Sequence, residues 1–225
     1  MLFCGVEYIL VVRVVAMNSE LSRDASIFTE EMLLPAMSDA EVLLLEKYTP
    51  SGQVLEFGAG GSTVFFANRG VQNIVTVESD AEWIKKLLLG SALLRQRTKS
   101  GRWQALHAHI GATGEWGIPL AKRPSVAWLN YHQAVWSAVD PSLLDFVLID
   151  GRFRVACGLQ VLLRTAERKL PVMIHDFPDR VHYHVLLNFF DIIDAVDTAV
   201  VLLRKDNLSW RDAAICLQEY QFDWN

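Results

Sequence analysis

The feature that most constrains this chain is a glycine-rich turn set between an apolar run and a helical pattern. The run is Gln53–Phe57, the turn is Gly-Ala-Gly-Gly at 58–61, and the helical pattern covers 62–68. Glycine lets the backbone bend sharply and approach a ligand, and a helix N-terminus presents unpaired N–H groups. The sequence therefore predicts a buried parallel strand, a binding turn and a helix, the first unit of an α/β sheet.

The rest of the chain alternates between helix and strand patterns. Helices are predicted over 41–48, 62–68, 80–89, 126–139, 152–168 and 181–190, and strands over 53–57, 73–77, 103–109, 145–149 and 171–174. Two final strands, 195–203 and 213–218, are expected to form a hairpin. This order predicts an α/β fold with a doubly wound, mostly parallel seven-stranded sheet and a C-terminal antiparallel hairpin. We assign the domain to 38–225 and treat 1–37 as an N-terminal extension, partly ordered or preceding the functional start.

Composition limits the partners to be expected. The formal net charge is −5 and no long basic run is present, which disfavours an extended nucleic-acid partner. The best candidate for a nucleic-acid-binding basic segment is predicted to lie in a solvated loop. It comprises Arg95, Arg97, Lys99 and Arg102. The apolar stretch 2–17 is interrupted by charges and is too short to span a bilayer, so no membrane partner is expected. Three scattered cysteines, with Cys157 and Cys216 in apolar stretches, fit a reducing, cytoplasmic compartment.

Three residues around the turn indicate which ligand it binds. Thr63 stands where the third glycine of a dinucleotide-binding pattern would be, which weakens the case for NAD. Glu56 is the second-last residue of the first predicted strand, just before the glycines, and a carboxylate there suits a ligand with an ammonium group, such as S-adenosylmethionine. Glu78 directly follows the second predicted strand, the usual place for an acid that accepts hydrogen bonds from ribose hydroxyls.

These motifs resemble class I S-adenosylmethionine-dependent methyltransferases. Residues 54–61, Val-Leu-Glu-Phe-Gly-Ala-Gly-Gly, resemble the first motif of that superfamily. More narrowly, residues 60–63, 77–80, 111–117 and 149–154 are similar to those of poorly characterised bacterial methyltransferase-like proteins. The resemblance covers roughly residues 38–178 and implies a Rossmann-like methyl-donor fold, but no particular substrate.

The resemblance implies a set of cofactor-binding positions at the ends of the first three strands. His109 stands where the superfamily often has an acid near the adenine amino group, and an imidazole can stack or accept a hydrogen bond. The predicted cofactor-binding residues are Glu56, Gly58, Gly60, Gly61, Ser62, Thr63, Glu78, Ser79, His109 and Ile110.

A reaction centre is predicted where the fourth and fifth strands end. Asp150 follows one, His175 and Asp176 end the other, and carboxyl ends of parallel strands share one edge. His175 is the candidate base, with Asp150 orienting it or holding the acceptor. The layout also resembles metal-dependent O-methyltransferases. Although Phe177 replaces their asparagine, the two carboxylates and His175 could hold a divalent ion, the less favoured alternative. A local role as helix caps or turns is a further reading of the two aspartates.

The predicted substrate contacts are Trp116, Arg152 and Arg154. Trp116 lies between glycines in a long loop, 110–125, and is the candidate for a lid; the arginines suit an acidic acceptor, with helix packing as the alternative. The leading function is methyl transfer to a small or polar acceptor. The alternative functions are a nicotinamide-dependent oxidoreductase and a non-catalytic nucleoside-binding module. The oligomeric state is left open, with a homodimer as one possibility.

Overall fold

The computed structural model describes residues 33–225, which form a three-layer α/β domain. Its elements in chain order are α1 (Asp39–Tyr48), β1 (Gln53–Phe57), α2 (Gly61–Asn68), β2 (Asn73–Glu78), α3 (Ala81–Gly90), α4 (Ala92–Lys99), β3 (Trp103–His107), α5 (Asn130–Gln133), β4 (Leu144–Ile149), α6 (Arg154–Arg164), β5 (Val172–Ile174), β6 (Phe190–Val196), β7 (Ala199–Arg204) and α7 (Trp210–Tyr220).

The seven strands form one sheet in the order β3-β2-β1-β4-β5-β7-β6. Strands β1 to β5 pair in parallel, β7 runs antiparallel to β5, and β6 completes an antiparallel hairpin with β7. The predicted fold class is confirmed. Because the order reverses between β1 and β4, a crevice is expected outside the carboxyl ends of these two strands.

Both faces of the sheet are covered, which explains the continuous apolar runs of its central strands. Leu55 and Phe57 pack into one buried cluster with α6 and α7, while Val54 and Phe146 pack into a second cluster with α2 and α4. Glu56 alternates with Leu55 and Phe57, so its carboxylate lies on the second face.

The predicted C-terminal hairpin has the wrong strands. The hairpin joins β6 and β7, and residues 213–218 belong to helix α7. Ser209 caps α7 by accepting a hydrogen bond from Asp212 N, and Ala213 and Cys216 lie three positions apart on its buried face. Buried residues spaced by three positions are typical of a helix, whereas a strand would bury every second residue, so the predicted strand over 213–218 is wrong.

The basic segment 95–102 is only partly the solvated loop that was predicted. Residues 92–99 form helix α4, which Ser91 caps by accepting from Leu94 N. Arg97 is buried and donates to Ala67 O (2.8 Å) and to Val71 O. Its guanidinium therefore joins α4 to the end of α2 instead of facing solvent.

Three predicted helices differ in form from those observed. Residues 126–139 contain short 3₁₀ turns around the single turn α5, and 181–188 form a 3₁₀ helix. Helix α6 spans Arg154–Arg164, whereas the predicted helix covers 152–168. It begins only at Arg154 because Phe153 adopts a left-handed conformation (φ 55°), which a right-handed helix does not accommodate.

Most of the predicted extension lies outside the described residues. Within 33–37, Leu33 and Met37 pack against the second cluster. Cys157 and Cys216 are buried, whereas Cys4 lies outside the described part. Among residues 33–225, no helix combines the length and hydropathy needed to cross a membrane.

Candidate active site

The glycine turn touches the chain that leaves β4. Gly58 has φ +99°, and a β-carbon placed on it would lie 2.7 Å from Gly151 Cα and N. A side chain at Gly58 would therefore both strain the backbone and overlap Gly151. A β-carbon at Gly60, in contrast, would meet nothing within 4 Å. At Gly58 the turn packs directly against Gly151, which follows β4. At Gly60 there is free space for a ligand beside the backbone.

Glu56 supports this turn from inside the protein. The residue is 0% exposed, and it accepts hydrogen bonds from Ser62 Oγ (2.5 Å), Thr63 Oγ1 (2.6 Å) and Thr76 Oγ1 (2.8 Å). Burial raises its pKa to about 7, although the three hydroxyl donors act in the opposite direction. The carboxylate joins β1, β2 and the first turn of α2. Its contact with a ligand ammonium stays a prediction, because both oxygens face these hydroxyls.

Glu78 connects the end of β2 to the same turn. Its Oε1 accepts from Ser79 N (2.6 Å) and Asp80 N (2.8 Å), and its Oε2 accepts from Ala59 N (3.1 Å). Burial raises the pKa of this carboxyl group, and these N–H donors oppose the rise. Oε2 has one partner among the described residues, so it keeps capacity to accept a further hydrogen bond.

The two predicted residues after β3 differ in exposure. His109 is exposed, and its ring lies edge-on to that of His107 at a centroid distance of 6.0 Å. Ile110 is buried. His107, which the sequence analysis did not select, lies with Nε2 3.1 Å from Ser79 O.

The predicted reaction-centre residues lie together. One potential ligand atom from each of Asp150, His175 and Asp176 falls within 4.8 Å of the others. His175 Nδ1 is 3.1 Å from Asp150 Oδ1 and 3.9 Å from Asp176 Oδ1. Asp176 has φ 56°, a conformation uncommon outside glycine, which turns the chain at the end of β5.

Glu41 is a member of this cluster that the sequence analysis placed only at the start of the first predicted helix. It forms the capping box with Ser38, and its Oε1 accepts from Thr198 N (2.9 Å) and Thr198 Oγ1 (2.6 Å). Its Oε2 lies 3.4 Å from His175 Nε2. Both imidazole nitrogens therefore face carboxylates. Burial lowers the pKa of His175, but Asp150, Asp176 and Glu41 outweigh it, and the net shift is upward.

Arg154 fills the space between the carboxylates. It is 2% exposed, and its Nη2 lies 3.3 Å from Asp150 Oδ1 and 3.2 Å from Asp176 Oδ2. Nε donates to Gly151 O (2.9 Å), and Nη1 donates to His175 O. A divalent ion held by Asp150, His175 and Asp176 would meet this guanidinium, so the donor set does not fit a metal. Arg154 itself is fully engaged within the protein, which matches the helix-packing alternative.

The loop that contains Trp116 lies over Glu78. A β-carbon at Gly117 (φ +69°) would lie 2.6 Å from Ser79 Oγ, 3.7 Å from Glu78 Oε1 and 4.0 Å from Arg152 Cγ. A bridge between Thr113 and Pro119 closes the base of the loop. Trp116 has φ 59° and is 79% exposed. The loop thus covers the end of β2 while its indole faces solvent.

Comparison with known proteins finds relatives of this fold. No family model matches the chain, and no curated protein matches it. A methyltransferase-like protein from Silicibacter pomeroyi has a similar structure, with a TM-score of 0.67 and 23% identity over 85% of this chain and 99% of that chain. A putative type 11 methyltransferase from Sulfolobus solfataricus is more distant, with a TM-score of 0.47 and 12% identity over 77% of this chain and 96% of that chain. The chain has the Rossmann-like fold of the first of these proteins.

Proposed function

We propose that this protein is an S-adenosylmethionine-dependent methyltransferase that acts on a small or polar acceptor. The observation that carries the proposal is the hydrogen bond from Ala59 N in the glycine turn to Glu78 Oε2 (3.1 Å). The turn lies where the strand order of the sheet reverses. The turn offers open backbone beside Gly60, and the acid stands where a ribose would be recognised. The fold of the Silicibacter methyltransferase-like protein supports the same function.

The residues at the ends of β1, β2 and β3 would hold the cofactor. Glu78 Oε2 can accept a further hydrogen bond, from a ribose hydroxyl, and the exposed side chain of His109 is accessible to the adenine ring. We assign Glu56, Ser62 and Thr63 the task of fixing the turn, since their polar atoms bind one another. When bound, S-adenosylmethionine supplies an electrophilic methyl group. The proposed set also includes Gly58, Gly61, Ser79 and Ile110.

The acceptor would bind beyond β4 and β5. Positioning supplies much of the rate of an in-line displacement, and a base is needed only for an acceptor that carries a proton. Asp150 and Asp176 are partly exposed carboxylates suited to hold the acceptor or to take its proton. We propose that His175 holds Asp150 in place through Nδ1, because its Nε2 faces Glu41 and its pKa is raised.

Two other functions are not favoured. A dinucleotide enzyme would normally have a glycine at position 63, where Thr63 Oγ1 instead accepts from Gly60 N and donates to Glu56. A non-catalytic binding module would not need the partly exposed carboxylates of Asp150 and Asp176 beside the crevice, although both also pair with Arg154. The net charge of −5 supports a modest acceptor over an extended nucleic acid, and location in the cytoplasm stays a prediction.

Thermal unfolding with three ligands tests the proposal. S-adenosylmethionine and its demethylated product S-adenosylhomocysteine should each raise the unfolding temperature, whereas NAD should not. Stabilisation by NAD alone would favour the oxidoreductase, and no stabilisation by either sulfur nucleoside would remove the basis of the proposal. Binding without turnover across a broad acceptor panel would favour the binding module.

A further inference from the structure

Arg152 differs from its neighbour Arg154 in having no partner for its charge. It is half-buried at the end of β4, and its guanidinium makes no hydrogen bond or ion pair within residues 33–225. Its Nε is buried without an acceptor. Buried polar groups are nearly always paired, so an orphaned buried Nε on a cationic side chain calls for an explanation.

A second orphaned polar group lies in the same region. Tyr183 is 0% exposed, and its Oη has no hydrogen-bond partner within the described chain. The Cζ atoms of Arg154 and Arg180 each lie 5.8 Å from the centre of its ring. Arg152 is close enough to act on this phenol electrostatically: burial raises the pKa of Tyr183, and Arg154, Arg180 and Arg152 all oppose that rise.

The ion pairs of the cluster are made by cations other than Arg152. Three carboxylates, those of Glu41, Asp150 and Asp176, contact His175, Arg154 and Arg180. Arg152 is not part of these pairs. Burial lowers its pKa, and the positive charges of Arg154 and Arg180 lower it further. A cation in such surroundings gains free energy when an anion binds beside it.

Arg152 also occupies a position between the cofactor end and the acceptor end of the crevice. Its Cγ lies 4.0 Å from the β-carbon position of Gly117, in the loop that covers Glu78. Its backbone N donates to Tyr131 Oη (3.2 Å), which fixes the segment that follows Asp150. Arg152 follows Asp150 by two residues, so this segment connects the guanidinium to the proposed reaction centre.

We propose that Arg152, together with Tyr183 Oη, forms an anion subsite that binds a carboxylate or phosphate group of the methyl acceptor. The acceptor class is then a small anionic molecule, an assignment that rests on the proposed methyltransferase function. An uncharged analogue would leave the guanidinium and the phenol unpaired, which is an effective way to reject it.

Phosphate titration of the free protein tests the subsite without any turnover. The probes are inorganic phosphate and acetate, and the readout is the arginine Nε–Hε resonances in NMR spectra. The Nε resonance of Arg152 should shift saturably in the wild type. Arg152→Gln should weaken phosphate binding at least about tenfold, the loss of one charge-assisted contact. Tyr183→Phe should weaken it by a smaller factor, and Arg123→Gln, which removes an exposed arginine of the 110–125 loop, should leave it unchanged.

Titration of the same variants with S-adenosylhomocysteine separates the two sources of an anion. Affinity for this nucleoside should be equal in wild type and Arg152→Gln if the subsite serves the acceptor. A matching loss would assign Arg152 to the amino-acid carboxylate of the cofactor and overturn the proposal. Absence of saturable phosphate or acetate binding, or equal phosphate binding by Arg152→Gln, would also overturn it. Failure of the proposed function would appear differently, as phosphate binding at Arg152 without any nucleoside binding.

Discussion

Glu56 is a carboxylate whose surroundings favour its protonated form. Full burial raises its pKa from 4.5 to about 7, and its hydrogen-bond partners are three neutral hydroxyl groups with no cation among them. From the sequence, Glu56 is predicted to contact the ligand, because it lies next to the glycine turn. Its location on the α2 side of the sheet, set by strand alternation, makes it a support of that turn.

Glu56→Gln should change how stability depends on pH. The folded-state pKa lies above the unfolded value, so the contribution of Glu56 is complete below pH 4.5 and is lost as pH rises through about 7. The loss is about 3 kcal/mol for a shift of this size. The free energy of unfolding of Glu56→Gln relative to wild type should therefore rise by up to that amount between pH 5 and pH 8, measured by urea unfolding. Glu82→Gln, at an exposed position, is the control; parallel profiles for wild type and Glu56→Gln would contradict the assignment.

Glu41→Gln should lower the pKa of His175. Glu41 Oε2 faces His175 Nε2 at 3.4 Å, and glutamine at the same position keeps the capping box of α1. The raised pKa of His175 gives stability that is complete below its ordinary value of 6.5 and is lost as pH rises through the higher folded value. NMR titration of the imidazole should show a lower midpoint in the variant. Glu46→Gln, on the same helix, should leave the midpoint unchanged, and an unaltered midpoint in Glu41→Gln would exclude the coupling.

The elements of this fold differ in how far their sequences determine them. Strand β1 has the predicted bounds, because an apolar run that ends in glycine has few alternatives. Helix α7 was mistaken for a strand because a short apolar stretch fits either period, and packing against α6 decides between them. Helix α4 was missed because its charged surface resembles a loop, whereas its Leu94 and Arg97 are buried.

The 110–125 loop should be sensitive to Gly117→Ala. A methyl group at Gly117 would overlap Ser79 Oγ and would also force a residue with a β-carbon to keep φ +69°. We expect S-adenosylhomocysteine to bind roughly tenfold more weakly, because the overlap would displace the loop from Ser79 at the cofactor end of the crevice. Gly111→Ala carries a similar backbone strain (φ +98°) without any atom within 4 Å, and is the matched control. Equal affinities in the two variants would show that loop contact with Ser79 is not needed.

At the scale of the whole molecule, topology explains what the sequence could and could not predict about the site. Parallel strands end at one edge, so the meeting of Asp150, His175 and Asp176 follows from the strand order alone. Glu41 joins them from α1, 134 residues before His175, and no local pattern indicates that contact. Arg152 and Arg154 are equivalent in sequence; only the fold separates the paired guanidinium from the unpaired one.

The central claim is that a sulfur nucleoside binds at the glycine turn with Glu78 as a ligand. Calorimetric titration with S-adenosylhomocysteine tests it most directly, with Glu78→Ala as the site variant and Glu82→Ala, on the exposed face of α3, as the control. Wild type and Glu82→Ala should bind one equivalent with equal affinity, and Glu78→Ala should bind at least about tenfold more weakly. Absence of binding by wild type, or equal affinity in Glu78→Ala, would contradict the claim.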